Sequence, residues 1–208
     1  ALAAHLQSLG LSAPDIIAHD SEAGFALLED FGTDQEFARL IERGDADEVA
    51  LYTAAAETLA VAHAAGAPSA VTGHGEKWPI RDFDQVALRA NADLFAEWLP
   101  RCDARRASSD RMLARWEAVR DALIDQATAF PRGFTLRDYH AENLIWLPGR
   151  NGTARVGLLD FQDALRGWDA WDLAMLTQDA RRPVSARAAE AAISTYLAAM
   201  GTSSALMR

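Results

Sequence analysis

The sequence predicts an α+β fold in which a small β lobe precedes a larger, mainly helical lobe. Two short apolar runs, residues 15–19 and 24–29, flank a turn-like segment around Ser21 and are typical of an antiparallel hairpin. Longer stretches with apolar residues at alternating steps of three and four then indicate helices. After Gly133 three short apolar strands follow, and polar residues lie between them. The order of these segments predicts the α+β class.

The composition limits the partners of the chain. The 208 residues suffice for one sizeable domain or two small ones, and half of them are hydrophobic. No run approaches the roughly 18 apolar residues of a membrane span. A net charge of −10 argues against nucleic acid and would suit a cationic substrate, although it also promotes solubility. The lone Cys102 fits a reducing compartment. We therefore expect a cytoplasmic protein that binds neither nucleic acid nor membranes.

The two ends of the sequence are unusual. Residues 1–9 are typical of the last turns of a helix that stops at Gly10, and residues 202–208 end without a clear stop signal. Because a chain seldom begins inside an element, we expect residues 1–32 to be the remnant of an N-terminal lobe with its hinge. Residues 33–208 are then expected to form the C-terminal lobe.

Capping residues and breakers predict the helices of the large lobe. Thr33 and Glu36 fit a capping box for a short helix, and Asp45 fits the cap of a long helix that ends near Gly66. Residues 66–79 are rich in Gly, Ser, Thr and Pro and predict a surface loop. Four more helices are predicted at residues 82–99, 109–129, 170–179 and 185–200, with Pro100 and Pro131 as breakers.

Several ring side chains of this lobe have a simple structural interpretation. His63 ends a stripe of apolar residues and is expected to be a satisfied core or boundary histidine. Trp98 and Trp116 are expected to anchor the core. A tryptophan can also line a sugar site, and Trp98 or Trp168 would then stack on the sugar ring.

The strands after Gly133 enclose two polar clusters, LRDYHAEN and LLDFQD. Phosphoryl transfer needs a carboxylate that orients the attacking hydroxyl and oxygen ligands that hold Mg²⁺ against the phosphates. The spacing lets Asp138 face an acceptor while Asn143, five residues later on the same loop, faces the metal. Asp160 follows a hydrophobic strand and is placed to be the second ligand. The alternative is a polar hairpin whose Asp and Asn residues only form turns.

At these motifs the sequence resembles the protein-kinase-like superfamily. Arg137-Asp138-(x)4-Asn143, followed by Asp160-Phe161, is similar to its catalytic-loop and metal-loop signatures. The likeness is greatest to the small-molecule branch, the aminoglycoside phosphotransferases and choline kinases, in which His140 also has a counterpart. Within that branch, the runs LRDYHAENLIWLPGR, VGLLDFQDALRG and WDLAMLTQDAR resemble bacterial kinases that phosphorylate the anomeric hydroxyl of cell-wall amino sugars.

The resemblance implies a protein-kinase-like two-lobe fold, with ATP and Mg²⁺ as cofactors and a small-molecule hydroxyl as acceptor. It implies that main-chain groups of Glu29, Asp30 and Phe31 contact the adenine. It also implies that Asp172 is a buried acceptor of hydrogen bonds from the catalytic loop. The Gly-rich loop, the phosphate-binding Lys and its Glu partner are expected upstream of residue 1.

Three further residues are predicted to support the site. By the resemblance, Arg137 and His140 have supporting roles in the catalytic loop. Asp163 either faces the substrate or a metal ion, or is a solvated loop carboxylate. Eleven residues separate Asp160 from Asp172, too few for an activation segment and a peptide platform. No protein substrate is therefore expected.

The resulting prediction is an ATP- and Mg²⁺-dependent small-molecule kinase. The favoured acceptor is the anomeric hydroxyl of an N-acetylated amino sugar. Aminoglycosides and other small alcohols are alternative acceptors, and a nucleotide-binding pseudokinase is the alternative outside the enzymes. Retention of Asp138, Asn143 and Asp160 favours the enzyme.

Overall fold

The α+β class is confirmed in the computed structural model, which describes residues 1–20, 22–73, 75–103 and 109–201. The predicted turn residue Ser21 and the closing residues 202–208 lie outside these ranges. The helices are α1 (Leu2–Ser8), α2 (Phe37–Arg43), α3 (Glu48–Ala64), α4 (Gln85–Cys102), α5 (Asp110–Ala127), α6 (Ala170–Thr177) and α7 (Ala186–Ala199). The strands are β1 (Ile16–Asp20), β2 (Phe25–Leu28), β3 (Ala70–Gly73), β4 (Glu76–Pro79), β5 (Arg132–Thr135), β6 (Leu144–Trp146), β7 (Val156–Leu158) and β8 (Leu165–Trp168).

The strands pair as antiparallel ribbons, β1 with β2, β3 with β4, β5 with β8 and β6 with β7. The predicted N-terminal hairpin is thus confirmed. The predicted surface loop at residues 66–79 is wrong, because β3 and β4 form a hairpin there. Val71 of this hairpin is buried, and Gly73 passes so close to Ala1 that a side chain would not fit. Packing against α1 therefore fixes a segment whose composition indicated a loop.

The core is built around α3, which packs along α7. Small residues such as Ala55 and Ala56 are fully buried on α3 and let α7 approach closely, while Leu51 and Leu59 fill the remaining space. The helix is apolar on nearly all sides, as expected for a helix surrounded by protein. This packing holds the elements that carry the polar loops.

Both predicted caps near residue 40 are wrong in detail. Helix α2 begins only at Phe37, after a 3₁₀ turn, and Glu36 forms an ion pair with Arg39 at 3.2 Å instead of capping. Helix α3 is capped by Asp47, whose Oδ1 accepts a hydrogen bond from the Val49 N–H at 3.2 Å.

The residue predicted as that cap, Asp45, pairs with Arg43 at 2.8 Å. Farther along, Pro100 does not break α4, which continues to Cys102. A proline near the last turn removes only one helical hydrogen bond.

Helices α4 and α5 pack on each other, and a second apolar cluster forms beside them around Phe83, Ile124 and Trp168. The prediction that Trp98 anchors the core is wrong, because 52% of this residue is exposed. Trp116 is partly buried, and its Nε1–H donates to Asp93 at 3.0 Å. Trp168 is 4% exposed and lies under the Arg132 guanidinium at 4.9 Å, so its ring is already covered.

The division at residues 32 and 33 stays a prediction. Leu6 and Leu11, from the N-terminal part, are buried in the same apolar cluster as Phe37 and Leu59. Among the described helices, none combines the length and the apolar content that a bilayer span requires.

Candidate active site

The β6–β7 hairpin brings the two polar clusters together. Leu144 of β6 lies opposite Leu158 of β7, so the residues just before β6 and just after β7 share one end of the hairpin. The Leu159 N–H donates to the Asn143 carbonyl at 2.9 Å and extends the pairing to this end. As a result, Asn143 and Asp160 lie side by side, with Nδ2 and Oδ2 3.4 Å apart.

Asn143 also links the LLDFQD cluster, which contains Asp160, to the loop that carries Asp138. Its Nδ2 donates to the Asp138 carbonyl at 3.0 Å and lies 3.2 Å from Nε2 of His140. Because the amide nitrogen is engaged on this side, the amide oxygen remains available as a ligand. Among the described residues, none donates a hydrogen bond to the Asp138 carboxylate, which is half-buried.

Asp160 has a left-handed backbone with φ of 56°, a conformation that Asp and Asn tolerate better than other non-glycine residues. This turn directs its carboxylate back toward the loop at the start of β6. One carboxylate oxygen faces Asn143, and the other accepts a short hydrogen bond from Nε2 of Gln162. Gln162, the residue after Phe161, therefore helps to orient Asp160.

Asp172 anchors the backbone of the loop that carries Asp138. Its Oδ2 accepts a hydrogen bond from the Leu136 N–H at 2.7 Å, and its Oδ1 accepts one from the Arg137 N–H at 2.9 Å. The residue is fully buried at the start of α6. Arg137 has φ of 77°, which is strained for a non-glycine residue, so this double anchor holds a conformation that the loop would otherwise leave.

We expect Asp172→Asn to lower the free energy of unfolding by about 3 kcal/mol, because the amide turns one acceptor of a buried network into a donor. Urea unfolding of the full-length protein measures this loss. Asp163→Asn is the matched control. The Asp163 side chain is 62% exposed and its ion pair with Arg137 is long, at 3.8 Å, so the unfolding midpoint of this variant should change little. Equal midpoints for the two variants would contradict the anchoring role.

The Arg137 side chain extends away from this anchor. Its guanidinium lies 3.8 Å from the Asp163 carboxylate and 5.8 Å from the ring centre of Phe83. Its carbonyl accepts a hydrogen bond from Trp171 Nε1–H at 3.2 Å. Arg137 thus ties the loop to the aromatic residues beside α4 and α6, and Asp163 takes part only through this long ion pair.

His140 is buried beside Asn143, and burial lowers the pKa of its imidazole, with the Arg181 guanidinium adding to the effect. A neutral imidazole can accept the hydrogen bond of the Asn143 amide through Nε2. Arg181 itself pairs with Glu142 of the same loop at 3.4 Å.

Of the three hinge residues predicted to contact the adenine, Glu29, Asp30 and Phe31, the first and the last contact the β6–β7 hairpin. The carboxylate of Glu29 accepts from Arg150 at 2.7 Å, and Asp30 accepts from the Gly32 N–H at 2.8 Å. The Phe31 ring covers Gly157, where a Cβ atom would approach the ring to 2.7 Å. The Phe31 main-chain N–H donates a hydrogen bond to none of the described groups.

A cavity of about 520 Å³ opens between α1, the β1–β2 hairpin and the start of the Asp160 loop. Its walls are mainly apolar and include Ile16, Leu28, Trp78 and Phe161. The hinge residues that follow Leu28 do not line it. The cavity nevertheless reaches Phe161 and Gln162, the two residues that follow Asp160.

The donor set of the two loops fits magnesium. Mg²⁺ in phosphate-transfer sites is held by one or two protein oxygens and completes its shell with phosphates and water. The Asp160 carboxylate and the Asn143 amide oxygen supply such a pair. No group of three His, Cys, Asp or Glu side chains in the described ranges is arranged to hold a metal ion.

Two buried residues behind the loop were not assigned to the site from the sequence. His63 Nε2 lies 3.1 Å from Asp172 Oδ2, and His63 Nδ1 lies 2.7 Å from the Tyr196 hydroxyl. The apolar stripe of α3 predicted a core histidine, which is confirmed. The stripe does not indicate which residues bond to the histidine, since Asp172 and Tyr196 lie 109 and 133 positions away in the sequence.

The pKa of Asp169 is raised by burial, and its Oδ1 is buried against Gly133 with no partner among the described groups. His63 lowers this pKa, and Asp172 raises it. A raised folded-state pKa contributes stability below the unfolded pKa and loses it as the pH rises through the folded value.

We therefore expect Asp169→Asn to stabilise the protein at pH 7 by about 0.5 kcal/mol, allowing for solvent screening of a partly buried group. The gain should shrink toward pH 4. Thermal unfolding at both pH values checks this, with the exposed Asp125→Asn as control. A gain that is larger at pH 4 would refute the prediction.

A loop that carries a carboxylate and is anchored by a buried Asp, beside a hairpin with neighbouring Asn and Asp side chains, is the arrangement of a kinase-like phosphotransferase. The profile of the phosphotransferase enzyme family matches residues 1–206, and the chain belongs to this family. The resemblance recognised in the sequence is therefore confirmed.

The chain is also similar in sequence to individual curated kinases. The chain is 49% identical over 200 residues to an N-acetylmuramate/N-acetylglucosamine kinase of Caulobacter vibrioides, which covers 96% of this chain and 54% of the relative. The kinase with the same name from Pseudomonas putida is 33% identical over 84% of this chain and 47% of its own length. The chain thus spans about half the length of the curated relatives that it matches.

Solved structures agree on the fold. The complex of gentamicin with APH(2″)-IIa superimposes with a TM-score of 0.63 at 15% identity, over 96% of this chain and 66% of the other. The choline kinase LicA from Streptococcus pneumoniae gives a TM-score of 0.58 at 18% identity, over 94% and 59%. At such identities the likeness shows the fold alone, and it confirms the predicted kinase-like fold.

Proposed function

We propose that this chain is the catalytic part of an ATP- and Mg²⁺-dependent kinase that phosphorylates the anomeric hydroxyl of an N-acetylated amino sugar. The observation that carries the proposal is the 49% identity, over 96% of the chain, to an N-acetylmuramate/N-acetylglucosamine kinase. The loop geometry supports the reaction type, since the three groups that phosphoryl transfer requires lie on two adjacent loops.

Asp138 is the base in this proposal. Its carboxylate accepts no hydrogen bond from the described residues, so it is free to accept one from an acceptor hydroxyl. It orients that oxygen toward the γ-phosphorus and takes the hydroxyl proton late in a loose transition state. Asp172 and Asn143 contribute by fixing the backbone on either side of Asp138.

Asn143 and Asp160 would hold Mg²⁺ through an amide oxygen and a carboxylate oxygen. When bound, the ion neutralises the charge of the phosphate oxygens. Gln162 holds the orientation of Asp160, and His140, kept neutral by burial, holds that of Asn143.

Main-chain groups of Glu29, Asp30 and Phe31 would contact the adenine, with the apolar cavity beside Asp160 next to them. Support comes from the Phe31 N–H, which has no partner among the described groups. Since ATP is a cellular metabolite and Cys102 is exposed and unpaired, we propose a cytoplasmic location. A small-molecule acceptor, rather than nucleic acid or protein, completes the proposal.

The test uses the full-length protein with ATP, Mg²⁺ and a panel of N-acetylmuramate, N-acetylglucosamine, an aminoglycoside and choline. Phosphorus NMR should show a sugar 1-phosphate with the amino sugars. The methyl glycoside of N-acetylglucosamine is the matched control, because its anomeric oxygen is blocked and it should give no product.

Phosphorylation of the aminoglycoside or choline, with both amino sugars unmodified, would contradict the proposed amino-sugar acceptor. The assignment as a phosphotransferase would still hold. Binding of ATP without phosphorylation of any acceptor would favour the pseudokinase alternative.

A further inference from the structure

A continuous path of buried hydrogen bonds leads from α7 to the loop that carries Asp138. The Tyr196 hydroxyl lies 2.7 Å from His63 Nδ1, and His63 Nε2 lies 3.1 Å from Asp172 Oδ2. The same carboxylate accepts the main-chain N–H groups of Leu136 and Arg137. The side chains of His63 and Asp172 are fully buried, and Tyr196 is 6% exposed. The two side-chain bonds of His63 are therefore shielded from solvent.

The chemistry of Asp172 determines the direction of the central bond. The Asp172 carboxylate can only accept, so His63 donates to it through Nε2–H. Among the described groups, the Tyr196 hydroxyl is the one hydrogen-bonded to the other ring nitrogen, Nδ1. With both nitrogens bonded, the hydroxyl helps to hold the ring orientation of His63 that Asp172 needs.

The end of the path is a point of backbone strain. Arg137 has φ of 77°, and its N–H is held by Asp172 Oδ1. A rotation of the Asp172 carboxylate would lengthen this bond, and the strained residue would relax. Because Asp138 follows directly, its carboxylate would lose its orientation.

The hydroxyl bond is the directional contact between the Tyr196 ring and His63. The ring is 6% exposed, belongs to the apolar core and lines a cavity of about 730 Å³ together with Phe130, Leu173 and Leu197. It meets the His63 imidazole in a T-shaped contact, with centroids 5.6 Å apart. Because apolar packing is not directional and a hydrogen bond is, the hydroxyl bond sets the angle of the imidazole.

We propose that Tyr196 is a positioning residue for the Asp138 loop and acts through His63 and Asp172. The inference rests on the proposed function for its effect on turnover, but its effect on the loop backbone does not depend on that function. Removal of one hydroxyl far from the reacting atoms should weaken the hydrogen bonds of the Leu136 and Arg137 N–H groups and slow phosphoryl transfer. It should not weaken the binding of ATP or of the sugar.

The experiment compares Tyr196→Phe with Tyr52→Phe in the full-length protein. Tyr52 is fully buried too, and its hydroxyl contacts Arg182 at 3.5 Å, outside the path. For Tyr196→Phe we expect kcat to fall about five- to tenfold, as for the loss of one buried hydrogen bond, with KM for ATP and sugar within about twofold. Tyr52→Phe should leave kcat within about twofold.

Amide hydrogen exchange gives a readout that does not need catalysis. The Leu136 and Arg137 N–H groups should exchange about tenfold faster in Tyr196→Phe and at the wild-type rate in Tyr52→Phe. His63→Gln supplies a second background. If Tyr196 acts through His63, adding Tyr196→Phe to His63→Gln should change kcat and exchange no further.

Unfolding midpoints confirm that each variant is folded at the assay temperature. Unchanged exchange at Leu136 and Arg137 in Tyr196→Phe, or equal effects of the two Tyr→Phe changes, would overturn the inference. Additive effects of Tyr196→Phe and His63→Gln would overturn it as well. If the wild-type protein phosphorylates no sugar, the proposed function fails, and the exchange rates alone decide the positioning role.

Discussion

Asp138→Asn should lower kcat by about two orders of magnitude or more, while ATP binding barely changes. The amide keeps the shape of the side chain but can no longer take the proton of the acceptor hydroxyl. The Asp138 main-chain carbonyl, which holds Asn143, is unaffected by the change. Turnover assays and calorimetric titration with Mg·ATP measure the two quantities separately.

A matched control lies in the same loop. Glu142→Gln also removes a carboxylate, but Glu142 is exposed, and its one ion pair among the described residues is with Arg181 at 3.4 Å. Its turnover should stay within a few-fold of the wild-type value. Near-wild-type turnover of Asp138→Asn would rule out Asp138 as the base.

Asp160→Ala should abolish activity, because it removes the only charged ligand of the proposed Mg²⁺ pair. The substitution also places alanine at φ of 56°, which adds a backbone cost of about 1 kcal/mol. Asp160→Asn separates the two effects, since asparagine tolerates this conformation but lacks the charge. We expect both variants to be inactive, and Asn143→Ala mainly to raise the Mg²⁺ concentration required.

Activity as a function of Mg²⁺ concentration and calorimetry with Mg·ATP are the measurements. Unchanged Mg·ATP affinity in both Asp160 variants would contradict the ligand role. Full activity of Asp160→Asn alongside an inactive Asp160→Ala would instead assign the loss to the backbone of the turn.

The sequence indicates which residues lie together at the candidate site because the site is local. Asp138 and Asn143 share one loop, and a short hairpin joins Asn143 to Asp160, so spacing along the chain nearly determines the geometry. The fold class followed from the same short-range patterns, as did the long helix α3 and the N-terminal hairpin. The roles of these residues stay predictions, while the family and the fold are confirmed.

Features that depend on distant partners were missed. Strand β8 pairs with β5 although 29 residues lie between the two strands, and its sequence LRGW lacks an alternating pattern. The hairpin at residues 66–79 is formed by packing on α1, against its loop-like composition. The bond between His63 and Tyr196 joins residues 133 positions apart. Periodicity indicates that a residue is buried but not which residue it meets.

The contacts of the hinge have a consequence for nucleotide recognition. Glu29 bonds to Arg150 at the turn of the β6–β7 hairpin, Phe31 covers Gly157 on β7, and the Leu158 N–H bonds to the Ser12 carbonyl at 2.7 Å. Asp160 follows two residues later on the same strand end. In the proposed function, the β6–β7 hairpin therefore sets the distance between the residues proposed to contact the adenine and the proposed Mg²⁺ ligand Asp160. A side chain at Gly157 would displace the Phe31 ring and change that distance.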